Sequence, residues 1–336
     1  MQLKPFVLAI ALSLSLCLPG AAWAMQQNRL IFVDGVTGHY LAGGIDQAGI
    51  YHAEAGGTAA FALAGITNLA SVPGLVLAYN ATAGGGTEIF ESHGFVHFFA
   101  QPGFSASWQK LVTVGGLVFF YDGSHTAAAV QASADGDTRQ AFSSTGLSPW
   151  TIIQGTDNYL FFYNRPNGSI VTASLDDNGF NQSQSSSTAT GYTLIGSVGD
   201  NLLLFNRNSG QWESGSILYN GSAHNDHYAR SIIDLTGSLG LGYSKAVQMN
   251  GHLMLYDSAT GSTAIGHFQT NGTFVLDSRP LLPKFYTDLL NCGQYLAFYG
   301  YGTGKLQTGY IDKAGNYHAV QTQVLVTGHQ VISTKN

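Results

Sequence analysis

The chain has 336 residues, a formal net charge of −6 and charged residues at only 10%, against about 25% in ordinary soluble domains. Nucleic-acid binding needs a basic stripe, and the sequence has none. Beyond the N-terminal leader no apolar stretch reaches the ~18 residues that cross a bilayer, so no membrane span is expected.

Residues 1–24 read as a secretory signal peptide. Lys4 gives a positive start, residues 6–18 are apolar, and Ala22-Trp23-Ala24 fits a small-residue cleavage site. Cys17 lies inside the apolar stretch, behind a Leu16 that suits lipid attachment poorly. Cleavage near Ala24 predicts a secreted or periplasmic protein spanning 25–336. Loss of Lys4 would leave 12 basic and 19 acidic residues, a charge of −7. Cys292 is then the only cysteine, so no intramolecular disulfide is available and packing must hold the fold.

From residue 30 onward one pattern repeats seven times. An apolar and aromatic run ends in Asx at 30–34, 75–80, 117–122, 160–164, 202–206 and 253–257, and in Gly at 296–300. An anchor residue belongs to each copy: Ile66, Trp108, Trp150, Tyr192, Tyr243, Phe285 and His329, spaced by 42, 42, 42, 51, 42 and 44 residues. A fixed period in this range marks a propeller or solenoid.

The unit that begins at Trp150 shows the plan. A short apolar strand is followed by a Gly-containing turn, then by the run 159–163, apolar throughout as in a strand buried on both faces. Asn167-Gly168 marks a hairpin, residues 169–175 alternate, and a turn ending at Gly179 opens a fourth strand. Corresponding turns recur at Gly38, Gly210, Gly261 and Gly304, and at 46–49, 91–94, 219–221, 269–272 and 312–315. No segment has a helical period. Four short antiparallel strands repeated seven times predict an all-β, seven-bladed propeller in one domain. The first unit lacks a first strand and the C-terminal segment 328–332 is an orphan first strand, so the C-terminal strand is expected to complete the N-terminal blade.

The Trp-x-x-Ile and Leu-x-Phe-Tyr-Asn strands, with the recurring Asp-x-x-Gly turns, resemble the multi-bladed β-propeller lectins of the tachylectin, tectonin and bacterial fucose-binding type. The resemblance covers the whole mature chain. It implies several similar sugar sites between adjacent blades, with glycans or a cell-surface partner as ligands. Low charge, scarce Glu and the lack of a unique catalytic cluster lean against an enzyme, and no cofactor is assigned.

Candidate ligand-binding residues are then the anchors Trp108, Trp150, Tyr192, Tyr243 and Phe285, whose flat rings could meet sugar C–H groups. The same rings could instead be wedges between blades. The Asx positions Asp34, Asp122 and Asp257 alternate with Asn, which suits turn caps and not catalytic acids. Asp46, Asp176, Asp177 and Asp312 look like fragments of calcium loops but lack the full oxygen set. The one long spacing holds an insertion with His224, Asp226 and His227, which could contact a ligand or converge on a metal. No catalytic residue and no metal site is assigned. The expectation is a secreted, non-catalytic carbohydrate-binding propeller, the alternatives being a secreted or surface protein-interaction scaffold and a polysaccharide-acting enzyme.

Overall fold

The computed structural model describes residues 29–334 except 73–74, 93–94, 102–104, 133–137, 177–178, 184 and 220–225. The expected leader, residues 1–24, and His224 therefore lie outside the described residues, as does Asp177.

Seven antiparallel sheets form the seven blades of a propeller. The first strands are Gln330–Ser333, Asn68–Val72, Lys110–Val114, Ile152–Gly155, Leu194–Val198, Lys245–Met249 and Asp288–Cys292, in blades 1 to 7. Each lies at one end of its sheet, and each touches the first strand of the next blade, so together they ring a central axis. Blade 1 has the strand order expected from the sequence. Its first strand comes from the C-terminus and pairs Leu30 with Ser333 and Val33 with Gln330. The one described helix is the four-residue Ala60–Leu63.

The second strands read as continuous apolar runs because each blade is packed on both faces. In blade 4, Leu160 and Phe162 face Phe119, Trp150 and Leu147, whereas Phe161 and Tyr163 face Tyr192, Ile195 and Leu202. Alternate residues of one strand thus serve two different inter-blade cores. Burying one such side chain stabilises the fold by about 1.5–3 kcal/mol, and the pattern recurs around the ring. Cys292 is fully buried in this packing, and desolvation pushes its thiol far above the usual range. It is structural rather than reactive.

Five blades share a further device. The tyrosine closing the second strand donates its hydroxyl to a backbone carbonyl just before the next blade: Tyr79 to Ser105, Tyr121 to Ser148, Tyr163 to Ala189, Tyr256 to Pro283 and Tyr299 to Val326, at 2.5–2.8 Å. The same oxygen accepts the backbone N–H of the next anchor, at 2.9–3.2 Å for Trp108, Trp150, Tyr192 and Tyr286. One phenol therefore satisfies two buried backbone groups and ties neighbouring blades together.

Candidate functional site

Strand register defines rings of equivalent residues around the axis. The fourth position of each first strand pairs with the second residue of the second strand. That position holds Ser333, Ser71, Thr113, Gly155, Ser197, Gln248 and Asn291 in blades 1 to 7. Six of the seven are hydroxyl or amide side chains, and none is charged. All seven line a central channel of about 820 Å³. The ring two positions earlier is entirely apolar: Val331, Leu69, Leu111, Ile153, Ile195, Ala246 and Leu289. Leu111, Ile153, Ile195, Ala246 and Leu289 of that ring line the channel, so a partial greasy collar precedes the neutral polar girdle, in the size range of small-molecule sites.

Asp157 is the only titratable side chain among the described residues that line this channel. It stands just beyond the girdle in the turn of blade 4 and is exposed. Gly115 and Gly116 of blade 3 line the same mouth, and Gly199 of blade 5, at φ +56°, borders the Asp157 carboxylate. Next to it, Asp200 accepts hydrogen bonds from Thr156 at 2.8 Å and Asn158 at 2.9 Å, which fixes the turn that carries Asp157.

The opposite mouth is organised differently. The first position of the first strands holds Gln330, Asn68, Lys110, Ile152, Leu194, Lys245 and Asp288. Lys110 donates to the carbonyl of Trp150 at 3.2 Å and Gln330 to that of Ile66 at 3.5 Å, so these side chains staple one blade to the next. Burial lowers the Lys110 pKa. Burial also raises the Asp288 pKa, against the Thr287 hydroxyl and the charge of Lys245, which favour the carboxylate. Three residue steps along the strand separate this ring from the girdle, about 10 Å.

The aromatic anchors lie in the blade interfaces. Trp150 is 5% exposed, and Trp108, Tyr192 and Tyr243 are similarly buried. Tyr192 donates its hydroxyl to the fully buried Glu213 at 3.0 Å, and the carboxylate also meets Thr188 and Arg230. Tyr286 does the same with Gln307 in blade 7, at 2.7 Å. The rings are wedges between blades; the hydroxyls of Tyr192 and Tyr286 are satisfied internally, whereas the buried Trp150 Nε1 has no hydrogen-bond partner among the described residues. Phe285 is not the anchor of blade 7. It is 63% exposed with φ +72°, while the buried neighbour Tyr286 accepts the anchor role. The residue before the anchor is left-handed in six blades, and blade 7 places a phenylalanine there.

Of the candidates in the blade 5 insertion, Asp226 and His227 are described. Asp226 is buried and its backbone carbonyl accepts the Thr172 hydroxyl at 2.8 Å, whereas His227 is exposed. The one group of three converging metal-type ligands among the described residues lies in blade 6: His252, His267 and Asp277. Asp34 and Asp122 cap the turns that follow them through backbone N–H groups of Val36, Ser124, His125 and Thr126.

No family model matches the sequence, and no curated protein matches it. Solved structures do share the fold. A candidate 6-phosphogluconolactonase of Bacteroides fragilis is 13% identical with a TM-score of 0.63, over 91% of this chain and 97% of that one. The periplasmic gluconolactonase PpgL of Pseudomonas aeruginosa is 12% identical with a TM-score of 0.61, over 91% and 99%. AztD of Citrobacter koseri is 14% identical with a TM-score of 0.56, over 89% and 82%. At such identities the likeness is one of fold.

These findings overturn the expectation of a non-catalytic lectin. Structures so similar in fold are named as lactonases, and four of the five aromatic rings expected to face sugars are enclosed between blades. A glycan or cell-surface partner has no support either. The channel girdle escaped sequence reasoning because Ser, Thr, Gln and Asn carry no signal until register aligns them. A fixed offset before each second strand was the available clue.

Proposed function

We propose that this chain is an exported propeller hydrolase that opens the ring ester of a small, neutral, sugar-derived lactone. The observation that carries the reading is the channel: a girdle of uncharged hydroxyl and amide groups with a single carboxylate, Asp157, at its rim. Neutral donors and acceptors match the hydroxyls of a sugar ring. The lactonase names borne by similar propellers support the same reaction class. Export rests on the leader read in residues 1–24.

Asp157 acts as general base. It takes a proton from a water molecule whose oxygen adds to the lactone carbonyl. The tetrahedral intermediate collapses with cleavage of the ring C–O bond, and the departing ring oxygen receives the proton. The product is an open hydroxy acid. Its new carboxylate lies beside Asp157 in an acidic protein, and that repulsion favours release.

The test is a pH-stat assay with gluconolactone and its 6-phospho counterpart, corrected for spontaneous opening. The wild type should accelerate opening of the neutral lactone more than the phosphorylated one. Asp157→Asn should lower kcat by ~10²-fold or more with little change in KM. Asn291→Leu in the girdle should chiefly raise KM. A folded wild type that opens neither lactone faster than buffer would refute the reading.

A further inference from the structure

A second site lies in blade 6, away from the channel. His252 opens the second strand, His252–Tyr256, and pairs directly with His267 of the third, Thr263–Phe268. Asp277 belongs to the fourth strand, Phe274–Ser278. There the ladder jumps from Gly266 opposite Leu276 to Ile265 opposite Ser278, so Asp277 is the residue the bulge leaves over. A bulge re-aims its side chain, and here the carboxylate meets both imidazoles. His267 Nδ1 lies 2.8 Å from one Asp277 oxygen and His252 Nε2 lies 3.4 Å from the other. Donor atoms of all three residues fall within 4.8 Å of one another.

His252 is 7% exposed, and its Nδ1 stands 3.1 Å from the backbone carbonyl of Asn250. A carbonyl can only accept, so Nδ1 carries the proton and Nε2 of the neutral ring presents a lone pair to Asp277. A carboxylate is likewise an acceptor. Two acceptors therefore face each other, and a cation must lie between them, either a second proton or a metal ion. A carbonyl orienting the far nitrogen is also how proteins fix metal-binding histidines. Tetrahedral zinc with bonds of ~2.0–2.1 Å holds neighbouring donors about 3.4 Å apart. The His252–Asp277 pair already stands at 3.4 Å, and the His267–Asp277 contact at 2.8 Å would open slightly to admit the ion. Blade 7 walls the site: a Cβ on Gly315 would come within 2.5 Å of Asp277 Cβ.

We propose that His252 Nε2, His267 Nδ1 and the Asp277 carboxylate form a binding site for a divalent transition-metal ion, zinc foremost, since imidazole with carboxylate suits that class. Three protein ligands leave one position for water or another small ligand, the pattern of an open site and not of a closed structural one. His267, 39% exposed, gives that position access to solvent. The site is independent of the lactone reading, and its test uses no lactone.

The test uses the full chain without a histidine tag, stripped by chelator. Zinc titration calorimetry should give one tight equivalent, and cobalt(II) should produce a visible absorption band. His267→Gln and Asp277→Asn should each weaken zinc binding at least tenfold and abolish the band, with melting curves confirming that the variants fold. His267 is partly exposed, so its variant is the safer of the two. Absence of both heat and band in the wild type would overturn the proposal and leave a proton as the shared cation. Wild-type affinity in both variants would also overturn it, placing the metal on surface pairs such as His52–Asp46 or His318–Asp312.

Discussion

The tyrosine hydroxyls at the ends of the second strands hold the blades together atom by atom. Tyr163 donates to Ala189 and accepts from the backbone of Tyr192. Tyr163→Phe keeps the ring but leaves a buried carbonyl and a buried N–H without their partner, at a cost of about 1–3 kcal/mol. Chemical denaturation should show that loss with an unchanged slope. A pH effect accompanies it. Desolvation raises the Tyr163 pKa, partly opposed by the backbone N–H of Tyr192, and burial raises that of Tyr299 to about 12. A raised phenol pKa means the fold prefers the protonated form. Its stabilisation is complete below the unfolded value near 10 and drains away as pH rises from there through the folded value. The wild type should therefore lose stability steeply between about pH 10 and 12, and Tyr163→Phe should show a shallower fall. An equal fall in both would remove Tyr163 from the account.

At the level of strands and their junctions, six of the seven anchors are preceded by one residue that turns left-handed, the exception being Trp150, which follows Pro149. Gly65, Gly191, Gly242 and Gly328 supply it at φ +76° to +87°, whereas Ser107 and Phe285 do so against their own preference. An L-residue with a Cβ in that region costs about 1–2 kcal/mol. Phe285→Gly should relieve this, and the ring is too exposed to lose much packing. Offset by the extra freedom of the unfolded chain, the net gain should be up to about 1 kcal/mol, read as a higher Tm. A lower Tm would mean that the exposed ring contributes more than the strain. This junction also explains why the sequence placed the anchor of blade 7 one residue early. Phe285 and Tyr286 are both aromatic, and the backbone angle that separates wedge from hinge leaves no mark on residue type. Strands buried on two faces were legible because such burial writes unbroken apolar runs such as 159–163. The metal-type triad was not, because His252 and His267 meet through strand register and Asp277 through a bulge. Neither leaves a spacing that a reader of the chain could recognise.

For the whole molecule, the decisive feature is that the ring is closed by pairing rather than by a covalent bond. Gln330–Ser333 forms the innermost strand of blade 1, antiparallel to Arg29–Val33, and Thr334 donates its backbone N–H to the carbonyl of Arg29 at 3.0 Å. This strand also completes the channel, since Ser333 is one of the seven girdle positions. Stability and the proposed chemistry therefore depend on the same four residues. Removal of residues 328–336 should expose the backbone edge of Leu30 and its neighbours and leave the first strands of blades 2 and 7 without the strand between them. In a repeat array each unit is stabilised chiefly by its neighbours, so the loss should spread instead of staying local. The truncated chain is expected to melt broadly at a much lower temperature and to lose lactone turnover. A synthetic peptide of residues 326–336, added in excess, should restore a cooperative transition by supplying the missing strand in trans. Calorimetry of the intact chain, the truncated chain and the truncated chain with peptide decides the matter. If the truncated chain alone melts as sharply and as high as the intact one, strand closure is not what holds the ring.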